Sequence, residues 1–192
     1  VTWDPFLSEL ELQFAAQAQA ERRLAATETE RVRIAELALT DRLSALAEVR
    51  AAVALWLAGA APVRGRLVLA GPDWAAIEDE SSALSLVAVG AIVRIDLPAV
   101  TIADSVREIS APRPLRARMG LAWMLRELGR RRVGVRVWDL DGNIVTGTID
   151  RVGTDHLDLA VHDAGQSRRE AVGDIRVVPL VRLARVVGDL DL

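Results

Sequence analysis

Apolar positions along the chain follow a helical rhythm for about forty residues and then change to the alternation expected of strands. In the opening "WDPFLSELELQFAAQAQAERRLAATETERVRIAELAL", Phe6, Leu7, Leu10, Phe14, Ala18, Leu24, Val32 and Leu39 recur at roughly helical spacing. Asp4 before Pro5 forms an N-cap and first-turn pair, and no Pro or Gly follows until after Leu39. The pattern predicts one long helix over residues 1–39, its alanine-rich middle suited to close packing on its own domain or on a second copy. Thr40 reads as the N-cap of a short second helix, "DRLSALAEV". Beyond it the polar and apolar positions alternate with period two.

This order occurs twice. A shift of 82 residues brings Leu39, Leu43 and Leu46 onto Leu121, Leu125 and Leu128, and the match continues without a gap. Val53 falls on Val135, Trp56 on Trp138, Gly65 on Gly147, Gly71 on Gly153, Asp73 on Asp155 and Ile77 on Leu159. The shift then becomes 91 and aligns "LVAVGAIVRI" with "VVPLVRLARV", leaving extra residues around "HDAGQSRRE" in the second copy. Matched turn glycines with conservative apolar replacements indicate an internal duplication.

Each copy reads as a short helix followed by five strands. In the second copy these fall near 133–139, 143–151, 155–162, 168–178 and 182–187, with turns at "DLDG" and "VGTD". A glycine midway along each second strand suits a sheet bent into a small barrel. The intervening "SVREISAPRPLRAR" contains Pro112 and Pro114 and reads as a semi-extended connection. The expected organisation is a long helix at 1–39, a first barrel at 40–97, a linker at 98–118 and a second barrel at 119–188.

"VRVWDLDGNIVTGTIDRVGTDHLDL" resembles the first motif of Sm and Sm-like proteins, and "IRVVPLVRLARV" resembles their closing strands. The whole chain is similar to actinobacterial proteins with a long N-terminal helix and two such halves. The resemblance implies a mainly β fold with some α: two tandem Sm-like, SH3-like bent five-stranded barrels, each led by a short helix. The PRC barrel shares the alternating strands and the "DGNIVTG" style of turn. The resemblance also implies RNA contacts from the loop between the second and third strands and from a motif before the last strand. This chain departs at both places, with Gly153, Thr154, Asp155 and Leu157 in the first and Asp174 and Arg176 in the second.

Composition narrows the chemistry. All 24 basic residues are arginine, the net charge is -3, and there is no cysteine. Thiol nucleophiles, disulfides and zinc ribbons are therefore excluded, and the chain suits a reducing compartment. The opening residues lack the pattern of a signal peptide, and the longest apolar run, "AAVALWLAGAAPV", is too short to span a bilayer, so a soluble cytoplasmic protein is expected. There is no G-x-S-x-G elbow and no glycine-rich phosphate loop, so neither an enzyme nor a cofactor is expected.

Two features invite a functional reading. Arg113, Arg116, Arg118, Arg126, Arg130, Arg131, Arg132 and Arg136 stand against a single acid, Glu127, with Trp123 and Trp138 flanking them. Guanidinium groups fork onto phosphates and stack on bases, so this run is a candidate nucleic-acid surface; pairing with the Glu-rich first helix or a second subunit is the other reading. His156 and Asp158 alternate with Leu157 and Leu159 and point away from the core, either as a solvated or interface face or, with Asp150, Asp155, His162 and Asp163, as metal ligands. In the first copy Trp74 and Ala76 take their places, and no metal site is assigned. The expected function is a non-catalytic interaction or assembly module forming homo-oligomers through barrel edges or the N-terminal helix, with an RNA- or DNA-associated regulator as the alternative and a metal-dependent protein centred on His156 as the third reading.

Overall fold

The computed structural model describes residues 4–109, 114–161 and 174–188. The chain divides into two compact units, Val1–Ala38 and Leu39–Leu192. The first contains helix α1 (Asp4–Ala35). Arg33 pairs with Glu30 one turn earlier, and the hydroxyls of Thr27 and Thr29 donate to the carbonyls of Arg23 and Ala25. Leu12, Phe14 and Leu24 are exposed.

The second unit begins with α2 (Leu39–Glu48). The expected cap at Thr40 is corrected: Thr40 lies inside the first turn, where its carbonyl accepts a hydrogen bond from the Ser44 hydroxyl at 2.8 Å. Five strands follow: β1 (Ala52–Leu57), β2 (Ala60–Ala70), β3 (Trp74–Glu78), β4 (Leu84–Ala88) and β5 (Ile92–Asp96). Before the "SVREISAPRPLRAR" connection the chain forms a 3-10 turn (Ala99–Thr101) and α3 (Ile102–Ser105), and within it Leu115–Arg118 is a 3-10 turn rather than extended. Ser105 is buried, and its hydroxyl donates to Ile102 and accepts from Arg42. Pro112 lies outside the described residues.

The second copy comprises α4 (Leu121–Arg131), β6 (Gly134–Asp139), β7 (Ile144–Val152), β8 (His156–Val161), β9 (Ile175–Pro179) and β10 (Leu183–Gly188). The expected strand at 168–178 is shifted within its described part to Ile175–Pro179; residues 168–173 lie outside the described residues.

Among the described residues ten strands form one antiparallel sheet in the order β5-β1-β2-β3-β4-β10-β6-β7-β8-β9, with β5 and β9 at its ends. The two halves therefore have the same strand order. Their hydrogen bonds repeat as well. Gly71 N–H donates to Trp74 as Gly153 does to His156, Val89 to Asp73 as Leu180 does to Asp155, and Ala58 to Ala91 as Leu140 does to Arg182. Gly65 and Gly147 hold the same place: a Cβ on either would run into the carbonyl oxygen of the adjoining strand, Glu78 or Ala160. Glycine is required there because the neighbouring backbone occupies the space of a side chain.

Alternation along β3 and β4 divides their side chains between two cores. Ala75, Ile77 and Val87 join Leu43, Leu46, Val53, Leu55 and Leu67 in the first half. Trp74, Ala76, Leu84, Leu86 and Ala88 face the other way and join Leu121, Met124, Leu125, Leu128 and Val186. The pair β3–β4 is thus a wall shared by both halves.

Candidate functional site

The joint between the halves is where the structure is most informative. Strand β10 runs antiparallel to β4, with Arg185 opposite Val87, Val186 opposite Leu86 and Val187 opposite Ser85. Leu86, Val87, Ala184 and Val186 are wholly buried. Arg185 donates from Nη2 and Nε to the Ser85 hydroxyl at 2.9 and 3.2 Å, and its guanidinium lies 4.9 Å from the Trp138 ring. Burial pushes the Arg185 pKa down from its ordinary value, opposed by Asp79 and assisted by Arg136. It remains a cation at any physiological pH.

Two further contacts close this joint. The Asp73 carboxylate accepts the backbone N–H of Leu121 at 2.7 Å, capping α4 from the opposite half. The fully buried Trp74 donates its indole N–H to the Met119 carbonyl at 2.8 Å.

At the two ends of the sheet the same positions stand open. By the 91-residue shift β9 corresponds to β4, so Ile175 takes the place of Leu84 and Val177 that of Leu86. Leu84 and Leu86 are 8% and 0% exposed, whereas Ile175 and Val177 are 58% and 62% exposed. Likewise β5 corresponds to β10, and Val93 is 71% exposed where Ala184 is fully covered. Beside β5 a groove of about 680 Å³ runs against α2, lined by Leu39, Arg42, Leu46, Val93, Ile95 and Ile102. In the second half the corresponding residues Leu121, Met124, Leu128, Ala184 and Val186 are buried in a core shared with Leu84, Leu86 and Trp74.

His156 and Asp158 belong to this open face. They take the places of Trp74 and Ala76, which are buried in the shared core. The His156 ring covers Gly153 as the Trp74 ring covers Gly71, and its Nδ1 lies 2.7 Å from an Asp155 oxygen. That hydrogen bond holds the Asp155 carboxyl below the usual carboxylate range. Among the described residues no group of three His, Asp or Glu side chains converges to hold a metal ion. His162 and Asp163 lie outside the described residues.

Several arginines of the run make contacts within the chain. Arg126 donates to the carbonyls of Val152 and Gly153 at 3.2 and 2.6 Å and so ties α4 to the β7–β8 turn. Arg130 and Arg131 pair with Glu127, and Arg132 ends α4 in the left-handed conformation. Arg136 lies 5.6 Å from the Trp138 ring, Arg116 and Arg118 fall in the 3-10 turn before α4, and Arg113 lies outside the described residues. Arg118, Arg130, Arg131, Arg132 and Arg136 are exposed.

The sequence marked His156 and Asp158 but not Ile175, Val177, Val93 or the groove. The signal was present as apolar residues of one copy, Trp74 and Ala76, replaced by polar ones in the other. No described helix is long and apolar enough to cross a membrane. No family model matches the chain, and no curated protein matches it.

Proposed function

We propose that this chain is a non-catalytic interaction or assembly module, built from two Sm-like barrels in tandem that offer their outer strand edges to other polypeptides. The observation that carries the reading is the contrast between the halves: β4 and β10 cover one another, while their counterparts β9 and β5 carry the same kind of apolar residue uncovered. An open edge with exposed Ile or Val readily accepts another strand, because its unpaired amides and carbonyls gain partners while apolar area leaves water. The repeated strand order supports the tandem reading, and a protein partner is preferred over nucleic acid because Arg126, Arg130 and Arg131 are already taken up by contacts within the chain.

The test is site-specific photo-crosslinking of the full chain in its own cells. A photoreactive residue replacing Val93 or Val177 is expected to trap a polypeptide at each position. The same residue replacing Ile144, exposed on β7 within the sheet, is expected to trap none. Absence of any adduct at both edges would overturn the reading.

A further inference from the structure

We infer that Arg136, Trp138 and Arg185 form a binding site for the carboxylate of a small organic acid, on the side of β6 and β10 turned away from the shared core. Both strands lie in the interior of the sheet, so the site is separate from the open edges and independent of the assembly reading.

The first half shows what such a site holds. On β1 and β5, Trp56 lies opposite Arg94 and Ala54 lies opposite Asp96. The Arg94 guanidinium stacks 4.3 Å over the Trp56 ring. The Asp96 carboxylate meets both residues: it accepts the Trp56 indole N–H at 2.6 Å and lies 2.9 Å from Arg94 Nε. The Trp56 hydrogen bond above all, then Arg94 and the charge of Arg64 on β2, hold the Asp96 carboxyl below its ordinary range. One indole N–H and two cations thus share a single carboxylate.

The second half repeats this square of positions without its acid. Arg185 lies opposite Trp138 and Val187 opposite Arg136, so Val187 takes the place of Asp96 and Arg136 that of Ala54. The cation of Arg64 has moved across one strand: its counterpart is Thr146, and Arg136 lies opposite Thr146. The guanidiniums of Arg185 and Arg136 lie 4.9 and 5.6 Å from the Trp138 ring. Tryptophan and both cations are kept, and a valine replaces the carboxylate. Among the described residues neither arginine pairs with an acid, and the Trp138 indole N–H is neither buried nor hydrogen-bonded. Arg185 gives Nε and Nη2 to the Ser85 hydroxyl, which leaves its Nη1 without a partner among those residues.

Electrostatics and shape select the ligand. Arg185 is half-buried beside a second cation, and Asp79, the acid that acts on it from a distance, is itself bonded to Ser81 and Ala83. An incoming anion relieves the repulsion between the arginines and gains charge-assisted hydrogen bonds from them. Ile144, opposite Trp138 on β7, is exposed, and Val187 stands beside Arg136, so the carboxylate is flanked by apolar side chains that suit an acid with an apolar body. Nucleic acid fits less well, because the guanidiniums already lie about the Trp138 ring on which a base would stack.

Benzoate is the probe, read by the indole N–H signals of the five tryptophans in heteronuclear NMR of the full chain, with Trp138→Phe and Trp56→Phe assigning two of them. At constant ionic strength benzoate is expected to shift the Trp138 signal saturably and to leave that of Trp56, already bonded to Asp96, in place. Benzamide, its uncharged analogue, and inorganic phosphate are expected to shift the Trp138 signal far less. Arg136→Gln, at an exposed position, is expected to weaken benzoate binding at least about threefold. Val187→Asp supplies the acid from within the chain, so its Trp138 signal is expected to move without benzoate and to respond to it no further. Circular dichroism confirms the fold of both variants, and Arg136→Gln decides the matter where Val187→Asp does not fold. The site is overturned by an unmoved Trp138 signal, by an equal shift with benzamide or phosphate, by an equal shift at Trp56, or by benzoate binding that Arg136→Gln or a folded Val187→Asp leaves unchanged. None of these results bears on photo-adducts at Val93 and Val177, so the assembly reading stands or falls separately.

Discussion

Leu86→Ala and Val177→Ala are the same kind of truncation at equivalent places in the two halves, and the structure assigns them different costs. Leu86 is wholly buried in the shared core, where it faces Val186 across the joint. Removing its outer carbons forfeits their transfer free energy and leaves a cavity bounded by β10 and α4, for which about 2–5 kcal/mol is the ordinary range. Val177 is 62% exposed, so in a dilute solution of single chains its truncation falls within about 0.5 kcal/mol. With a urea dependence of about 2 kcal/mol/M, a loss of about 3 kcal/mol lowers the unfolding midpoint by about 1.5 M for Leu86→Ala, and Val177→Ala leaves it almost unmoved. The assay is urea unfolding by tryptophan fluorescence at submicromolar protein. Equal midpoint shifts in the two variants, or a shift below about 0.5 M for Leu86→Ala, would refute the claim that one position is a filled joint and the other an open one.

Three further outcomes follow from particular contacts. Gly147→Ala drives a methyl group into the Ala160 carbonyl and is expected to cost at least about 1–3 kcal/mol, whereas Gly134→Ala, with open space around it, is expected to cost almost nothing by the same unfolding assay. The Asp139 carboxyl is held below its usual range by the Asn143 amide, then by the backbone N–H groups of Asn143 and Asp141, with Arg182 adding to the effect. Its folded value is thus below its unfolded one, so its contribution is present above the ordinary aspartate range and is lost as pH falls through the lowered value. Asp139→Asn is expected to lower the melting temperature at neutral pH, with the difference from wild type shrinking in acid. Finally, filter binding with single-stranded RNA and duplex DNA across a salt series is expected to show no salt-sensitive binding at micromolar protein; tight binding that weakens steeply with salt would transfer the function to the exposed arginines of 113–136.

The repeat was legible because turns and bends need particular residues. Gly65 and Gly147 have no substitute where the adjoining carbonyl lies, and Trp56 with Arg94 recurs as Trp138 with Arg185 because each pair lies across neighbouring strands. Local signals were weaker guides. Thr40 has the chemistry of a cap, yet α2 begins one residue earlier, a difference of the size that helix ends commonly show. The helical turn that leads into the proline-bearing connection was not legible, because nothing local announces that Ser105 is buried and bonded to Arg42. The joint itself was hidden for a similar reason. Pairing of β4 with β10 joins residues some hundred positions apart, and only the comparison of the two halves reveals that Trp74 and Ala76 are covered where His156 and Asp158 are not.

Hydrogen exchange resolved strand by strand, at dilute and at high protein concentration, addresses the account most directly. At all concentrations β4 and β10 are expected to be well protected, being paired on both sides. The outward amides of β5 and β9 are expected to exchange quickly when dilute and to gain protection together as concentration rises, with β2 and β7 unchanged. Protection of β5 and β9 that is already complete in the dilute chain, or that never rises while the protein self-associates, would contradict an assembly made through the open ends of the sheet.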